Sequence, residues 1–228
     1  MPTPMRLCRS LGVIALCTVA FTCPSLFTPA RSGAQDQTPA RPAPPGAAVD
    51  LKVPKGTPDA ITAILTRRSI RAYSPHPVPE DMIKLLLAAA MSAPSAFNER
   101  STDFVVINDP KILDGIYRLN PNSAQVKRAT VAILVCGNQD WEKFKGKGYW
   151  QLDGAVAAEN ILIAAHALGL GAVWTAIYPY PERIPAVQKL LHLPEQVVPL
   201  TIIPIGYPAE RKPPENRYDA SRVHNNRW

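Results

Sequence analysis

YWQLDGAVAAENILIAAHAL occupies residues 149–168 and decides how the rest of the chain must be arranged. Ala155, Val156, Ala157, Ile161, Leu162, Ile163 and Ala164 spread apolar side chains nearly all the way round a helical period. The segment is therefore predicted to be a helix buried in the middle of a packed structure. Gly169 and Gly171 end it. Toward the C-terminus, residues 172–175 read as a short strand, 181–191 as a helix and 197–205 as a last strand. Toward the N-terminus, the unbroken run VAILV at 131–135 reads as a buried strand, 111–119 as a helix and FVVI at 104–107 as a strand. A further helix opens at Pro79-Glu80-Asp81, carries Met82, Leu85, Leu86 and Ala89, and stops before Pro94. The first begins at Thr57-Pro58-Asp59, with Ile61, Ile64 and Leu65 at helical spacing. Strands alternating with helices predict an α/β or α+β domain.

The ends of the chain are of another character. Residues 1–34 hold Arg6 and Arg9, the apolar run LGVIALCTVAF at 11–21, and Ser32-Gly33-Ala34 at the offsets a signal peptidase reads, the layout of a secretory signal peptide. The apolar run is shorter than the roughly 20 residues that a spanning helix needs, so no stable membrane span is expected once the leader is removed. An uncleaved anchor is the minority alternative. Residues 35–57 are rich in Pro, Ala, Gly and Gln and read as a flexible tether, which leaves 58–228 as one folded domain. Cys8, Cys17 and Cys23 lie in the leader, so Cys136 is the sole thiol of the exported chain and reads as a small buried hydrophobe. After Gly206-Tyr207-Pro208 comes a polar, proline-rich arm ending in Tyr218, Val223 and Trp228, which suggests docking on another subunit.

The net charge is +7, but the basic residues are scattered and do not alternate with stacking aromatics, so no nucleic-acid partner is expected. The four histidines have no metal-ligand spacing, and no metal site is expected. Three motifs remain. Arg67-Arg68-Ser69-Ile70-Arg71 closes the first helix, where arginines complement the helix dipole but also form a phosphate-shaped set of donors. Ala93-Pro94-Ser95-Ala96-Phe97-Asn98 follows the second helix, and Ala167-Leu168-Gly169-Leu170-Gly171 follows the long one.

In this order and spacing, with Pro204-Ile205-Gly206-Tyr207-Pro208 and Arg217 near the end, the chain resembles the nitroreductase family of FMN enzymes over residues 59–228. The resemblance implies an α+β, three-layer α/β/α fold with a central, mainly antiparallel sheet, stable as an intertwined homodimer with FMN in the subunit interface. It implies that Arg67, Arg68 and Ser69 hold the FMN phosphate and ribityl chain, and that Arg71 approaches the pyrimidine edge of the flavin. A fixed cation there favours the reduced ring, which carries negative charge near N1. Pro94, Ser95 and Asn98 correspond to the loop that reaches the flavin from the other subunit. Thr175 and Ala176, after Trp174, correspond to the segment whose backbone N–H groups approach N5 and O4. Arg217 corresponds to a late phosphate-binding arginine. The family's usual Gln-Pro-Trp after the loop motif is replaced by Arg100-Ser101-Thr102.

No side chain is assigned as catalytic acid or base, because hydride transfer resides on the cofactor; Asp153, Glu159 and Asn160 are read as structural. The resemblance implies an oxidoreductase with a small-molecule donor, NAD(P)H or another, and a nitroaromatic, quinone or similar acceptor. The alternative class is an exported protein that binds flavin or another planar ligand without turnover, an option raised by the scarcity of NAD(P)H outside the cytoplasm.

Overall fold

The computed structural model describes residues 53–228; the leader and most of the tether lie outside the described residues. Helix α1 (Ala60–Thr66) is capped by Asp59, whose side chain accepts from the Thr62 N–H. Helix α2 (Glu80–Met91) starts with Glu80 and Asp81 in its first turn, where they suit the helix dipole. Strand β1 (Thr102–Ile107) leads to α3 (Pro110–Leu119), which has Asp109 as its cap and proline at its first position. A short α4 (Ala124–Arg128), not expected from the sequence, precedes β2 (Val131–Asn138). Helix α5 (Tyr149–Ala167) is the 149–168 segment, followed by β3 (Gly171–Ala172), β4 (Thr175–Ala176), α6 (Arg183–Leu191) and β5 (Val197–Gly206).

The sheet runs β1-β2-β5-β3, with β4 also on β5, and every named pairing is antiparallel. The single strand expected at 172–175 is split into β3 and β4. Both halves keep one register on β5, from Gly171 opposite Gly206 to Ala176 opposite Thr201. That register puts Val173 opposite Pro204, which has no N–H to donate, so the ladder lapses there.

Side chains alternate across β2 and divide the core. Val131, Ile133 and Val135 face Leu86 and Ala90 of α2 and Ala157, Ile161 and Ala165 of α5, together with Ile203 and Ile205. Ala132, Leu134 and Cys136 face Leu113 and Ile116 of α3, Val126 of α4 and Val187 of α6, together with Ile202. This is the expected three-layer α+β fold, and a strand buried on both faces is why its sequence lacks polar alternation. Burial pushes the Cys136 thiol up to about 12. A chain starting at Gln35 is accordingly expected to show no thiol toward a disulfide reagent while folded, and one after denaturation, in a timed absorbance titration.

Helix α5 is not fully covered. Leu152 (62% exposed) and Val156 (40%) lie open, as do Ile61, Ile64 and Leu65 of α1. Among the described residues no helix is long and apolar enough to cross a membrane.

Candidate functional site

The C-terminal end of α5 and the residues after α1 build an anion-shaped corner. A Schellman turn stops α5: Leu170 N–H donates to Ala165, Gly169 N–H donates to His166, and Gly169 takes φ +76°. The chain then enters β3, against which residues 69–70 pack as a neighbouring strand, with Ser69 bridged to Ala172 and Ile70 N–H donating to the Ala172 carbonyl at 3.1 Å. Residue 171 must be glycine for this, since a Cβ would lie 2.6 Å from Ile70 Cγ2.

Arg67, Arg68, Ser69 and Arg71 follow one another along this stretch, and residues from the C-terminal arm bond to it. Lys212 Nζ donates to the Ser69 carbonyl at 2.7 Å and pairs with Glu210 at 3.2 Å. Arg68 donates through Nε to the Pro213 carbonyl and through Nη1 to the Arg67 and Leu65 carbonyls. Its Nη2 is buried and has no partner. Arg67 Nε lies 3.1 Å from Glu159 Oε1 without the alignment of a hydrogen bond. The Arg71 backbone N–H donates to Glu210 Oε1, which with Lys212 holds that carboxyl below the usual range, while the Arg71 side chain is exposed. Behind the corner, Thr66 gives its hydroxyl proton to the Thr62 carbonyl, so His166 Nε2, 2.8 Å away, is the donor to Thr66. Burial, then the Arg67 and Arg68 charges, hold the His166 imidazole below its ordinary range.

The Pro94–Asn98 motif sits elsewhere on α5. Asp153, in the second turn, accepts from the Ala96 N–H at 2.9 Å and from Ser101 Oγ at 3.4 Å. Pro94, Ser95 and Asn98 line a cavity of about 810 Å³ with Met91, Phe104 and Ala157. Ser95 Oγ accepts from the Arg100 N–H, and Phe97, Asn98 and Arg100 all take positive φ. Stepping 100° per residue, Asp153 and the Glu159–His166 pair project from α5 roughly 120–140° apart. On one chain the two groups thus face different ways.

Thr175 and Ala176 lie in β4: Thr175 Oγ1 accepts from Gln125, the Thr175 carbonyl accepts from Thr201, and the Ala176 carbonyl accepts from Arg183. Arg217 is not brought to the corner; its Nε and Nη2 both donate to Glu215 on the exposed arm. Lys212 and Glu210 are not marked by the sequence, and His166 stands there only as one of four histidines without metal-ligand spacing. The only mark of Lys212 there is a positive charge beside a proline, and a carboxylate such as Glu210 carries no sign that it will clamp a distant backbone.

The nitroreductase family model matches residues 64–135 and 118–207. The chain belongs to the nitroreductase family. It is an oxidoreductase by that membership. It is 44% identical over 180 residues to a provisionally named NADH dehydrogenase/NAD(P)H nitroreductase of Methanothermobacter thermautotrophicus, covering 79% of this chain and 92% of that one. A solved structure with the same provisional name, from Bacteroides thetaiotaomicron, superposes with a TM-score of 0.70 at 43% identity, over 74% of this chain and 98% of that one. An FMN-dependent nitroreductase of Clostridium difficile superposes at 0.68 and 28% identity, over 74% and 99%.

Proposed function

We propose that this nitroreductase-family protein is an FMN-dependent oxidoreductase that takes electrons from a nicotinamide donor and passes them to a nitroaromatic, quinone or similar planar acceptor, working as an exported homodimer. Bound FMN would supply the redox chemistry, hydride transfer through N5.

The observation that carries this reading is the orphaned Arg68 Nη2 in a corner that also holds Arg67, Ser69 and Lys212. A buried guanidinium nitrogen without an acceptor is costly, and a phosphate oxygen is the acceptor that its fork and the neighbouring ammonium fit. In this role Arg68 and Lys212 grip the phosphate, and Arg67 reaches it while held by Glu159. Glu210 fixes the Arg71 backbone and leaves that guanidinium exposed, where it can meet the electron-rich edge of the ring. Thr175 and Ala176, with their carbonyls engaged, could contribute backbone N–H groups and the Thr175 hydroxyl proton. Arg217 would have to leave Glu215 to take part.

Two features support a dimer. Ile61, Ile64 and Leu65 of α1 and Leu152 and Val156 of α5 leave apolar side chains open to water, and the Pro94–Asn98 segment is anchored on a side of α5 turned away from the corner of its own chain. A second subunit would cover the first and bring its own segment to the second. Export is supported by the layout of residues 1–34. Light scattering is expected to give twice the chain mass at low micromolar concentration; a folded monomer would overturn the two-subunit site.

The enzyme itself is tested by its visible spectrum. The purified protein is expected to be yellow, to bleach when NADH or NADPH is added without oxygen, and to recolour on addition of a quinone or nitroaromatic. A colourless protein to which added FMN does not bind would refute the assignment.

A further inference from the structure

Among the described residues the Glu99 carboxyl is the one buried carboxyl with both oxygens unpartnered. It follows Asn98 directly, is 8% exposed, and makes no hydrogen bond through either oxygen. Two more buried carboxyls stand with it, Asp153 (6% exposed) and Glu142 (2%), each already committed as an acceptor. Asp153 takes the Ala96 N–H and the Ser101 hydroxyl, and Glu142 takes the Tyr149 N–H at the start of α5. The backbone around Glu99 is strained, with Phe97 at φ 52°, Asn98 at 57° and Arg100 at 54°, none of them glycine. Something must hold this segment, and an ionised Glu99 among two other carboxylates would push it out.

We infer that Glu99 is a positioning residue that holds the Pro94–Asn98 segment in its strained form as a neutral carboxyl, packed among the Asp153 and Glu142 carboxylates. The role assigned to that segment at the flavin rests on the proposed function; the packing of Glu99 does not. Burial first, then the Asp153 and Glu142 charges, raise its pKa, while the backbone N–H and the ammonium of Lys143 act in the opposite direction without closing a hydrogen bond. The charged groups of the surrounding elements are thus Asp153 of α5, and Glu142 and Lys143 of the segment before it; on its own loop, Arg100 turns its Nε to the Asn98 side chain.

The sign of the linkage follows. Because the folded pKa is raised above the unfolded one, the stability that Glu99 contributes is fully present below the ordinary carboxylate range and is lost as pH rises through the folded value. Glutamine keeps the shape and stays neutral at every pH. Melting temperatures of apo wild type and Glu99→Gln should therefore approach each other near pH 4.5 and separate as pH rises, with Glu99→Gln the more stable by roughly 2–4 °C at pH 8. Glu99→Ala, which loses the packing as well, should melt below Glu99→Gln at every pH. FMN affinity measured alongside should weaken with rising pH in wild type more than in Glu99→Gln.

A Glu99→Gln protein that melts below wild type by the same margin at all pH values would overturn the inference, since the carboxyl would then be working as an anion for Lys143. Equal melting of the two at every pH would overturn it as well. If no FMN binds to any variant, the proposed function fails, and the melting of the apo proteins still decides the matter for Glu99.

Discussion

Replacing Gly137 with alanine is expected to cost about 3 kcal/mol or more of stability, at or beyond the upper end of what overpacking a core usually costs. A Cβ built on Gly137 would lie 2.2 Å from Trp150 Cε3 and 2.6 Å from Cδ2, distances at which one of the two must leave. Neither can do so cheaply. Gly137 belongs to β2, paired to both β1 and β5. Trp150 is 5% exposed, lies in the first turn of α5, and packs edge-on against Tyr178 with ring centroids 5.2 Å apart. Moving the indole would disturb the entry of α5, and with it the Tyr149–Glu142 bond and the Asp153 anchor one turn on. Since ordinary domains are stable by only about 5–15 kcal/mol, the variant should unfold at much lower denaturant concentration. A double variant, Gly137→Ala with Trp150→Leu, should recover part of the loss, because the smaller side chain makes room. A single variant within about 1 kcal/mol of wild type by urea unfolding would show that the indole slides freely over the sheet.

That contact could not have been read from the sequence, whereas the layers could. Strand β2 was legible because six consecutive apolar residues leave no polar face, and α5 because its apolar residues recur on every side. Both are statements about burial, and burial is what periodicity records. Helix α4 went unread because AQVKR is too short to show a period. The break between β3 and β4 is set by Pro204 on a neighbouring strand, a pairing that becomes known only with the register.

The candidate site divides along the same line. The arginines after α1 and the Pro94–Asn98 motif could be found because they are contiguous. Lys212 and Glu210 reach the corner from about 140 residues away along the chain. The positive φ of Phe97, Asn98 and Arg100 was also illegible: without glycine, nothing in the letters announces a left-handed backbone. The loop's shape is imposed by Asp153 and by the packing of Glu99, and each of these lies outside the motif that it supports.

The second large effect is expected at the anion corner, where Arg68→Ala and Arg71→Ala should fail in different ways. Arg68 offers a buried, unpartnered Nη2, and its other donors are tied to carbonyls of Leu65, Arg67 and Pro213, so the side chain is preorganised and little ordering remains to be done on binding. Losing a charge-assisted hydrogen bond to phosphate costs on the order of 1.5–3 kcal/mol, or roughly ten- to hundredfold in FMN affinity. Riboflavin, which lacks the phosphate, should bind both proteins about equally. That comparison separates a lost phosphate contact from a collapsed site. Arg67→Ala should also weaken FMN, partly by leaving the Glu159 carboxylate unpaired next to the phosphate. Arg71 is different, since Glu210 holds its backbone and its side chain is exposed. Arg71→Ala should keep more of its FMN while the reduction potential of the bound cofactor falls, because negative charge on the reduced ring loses its counter-charge and the neutral oxidised ring loses little. Flavin titration with FMN and riboflavin, followed by equilibration with redox dyes, reads both effects. A potential for Arg71→Ala equal to wild type would return Arg71 to the phosphate clamp, and equal FMN affinity for Arg68→Ala and wild type would remove the corner from the site altogether.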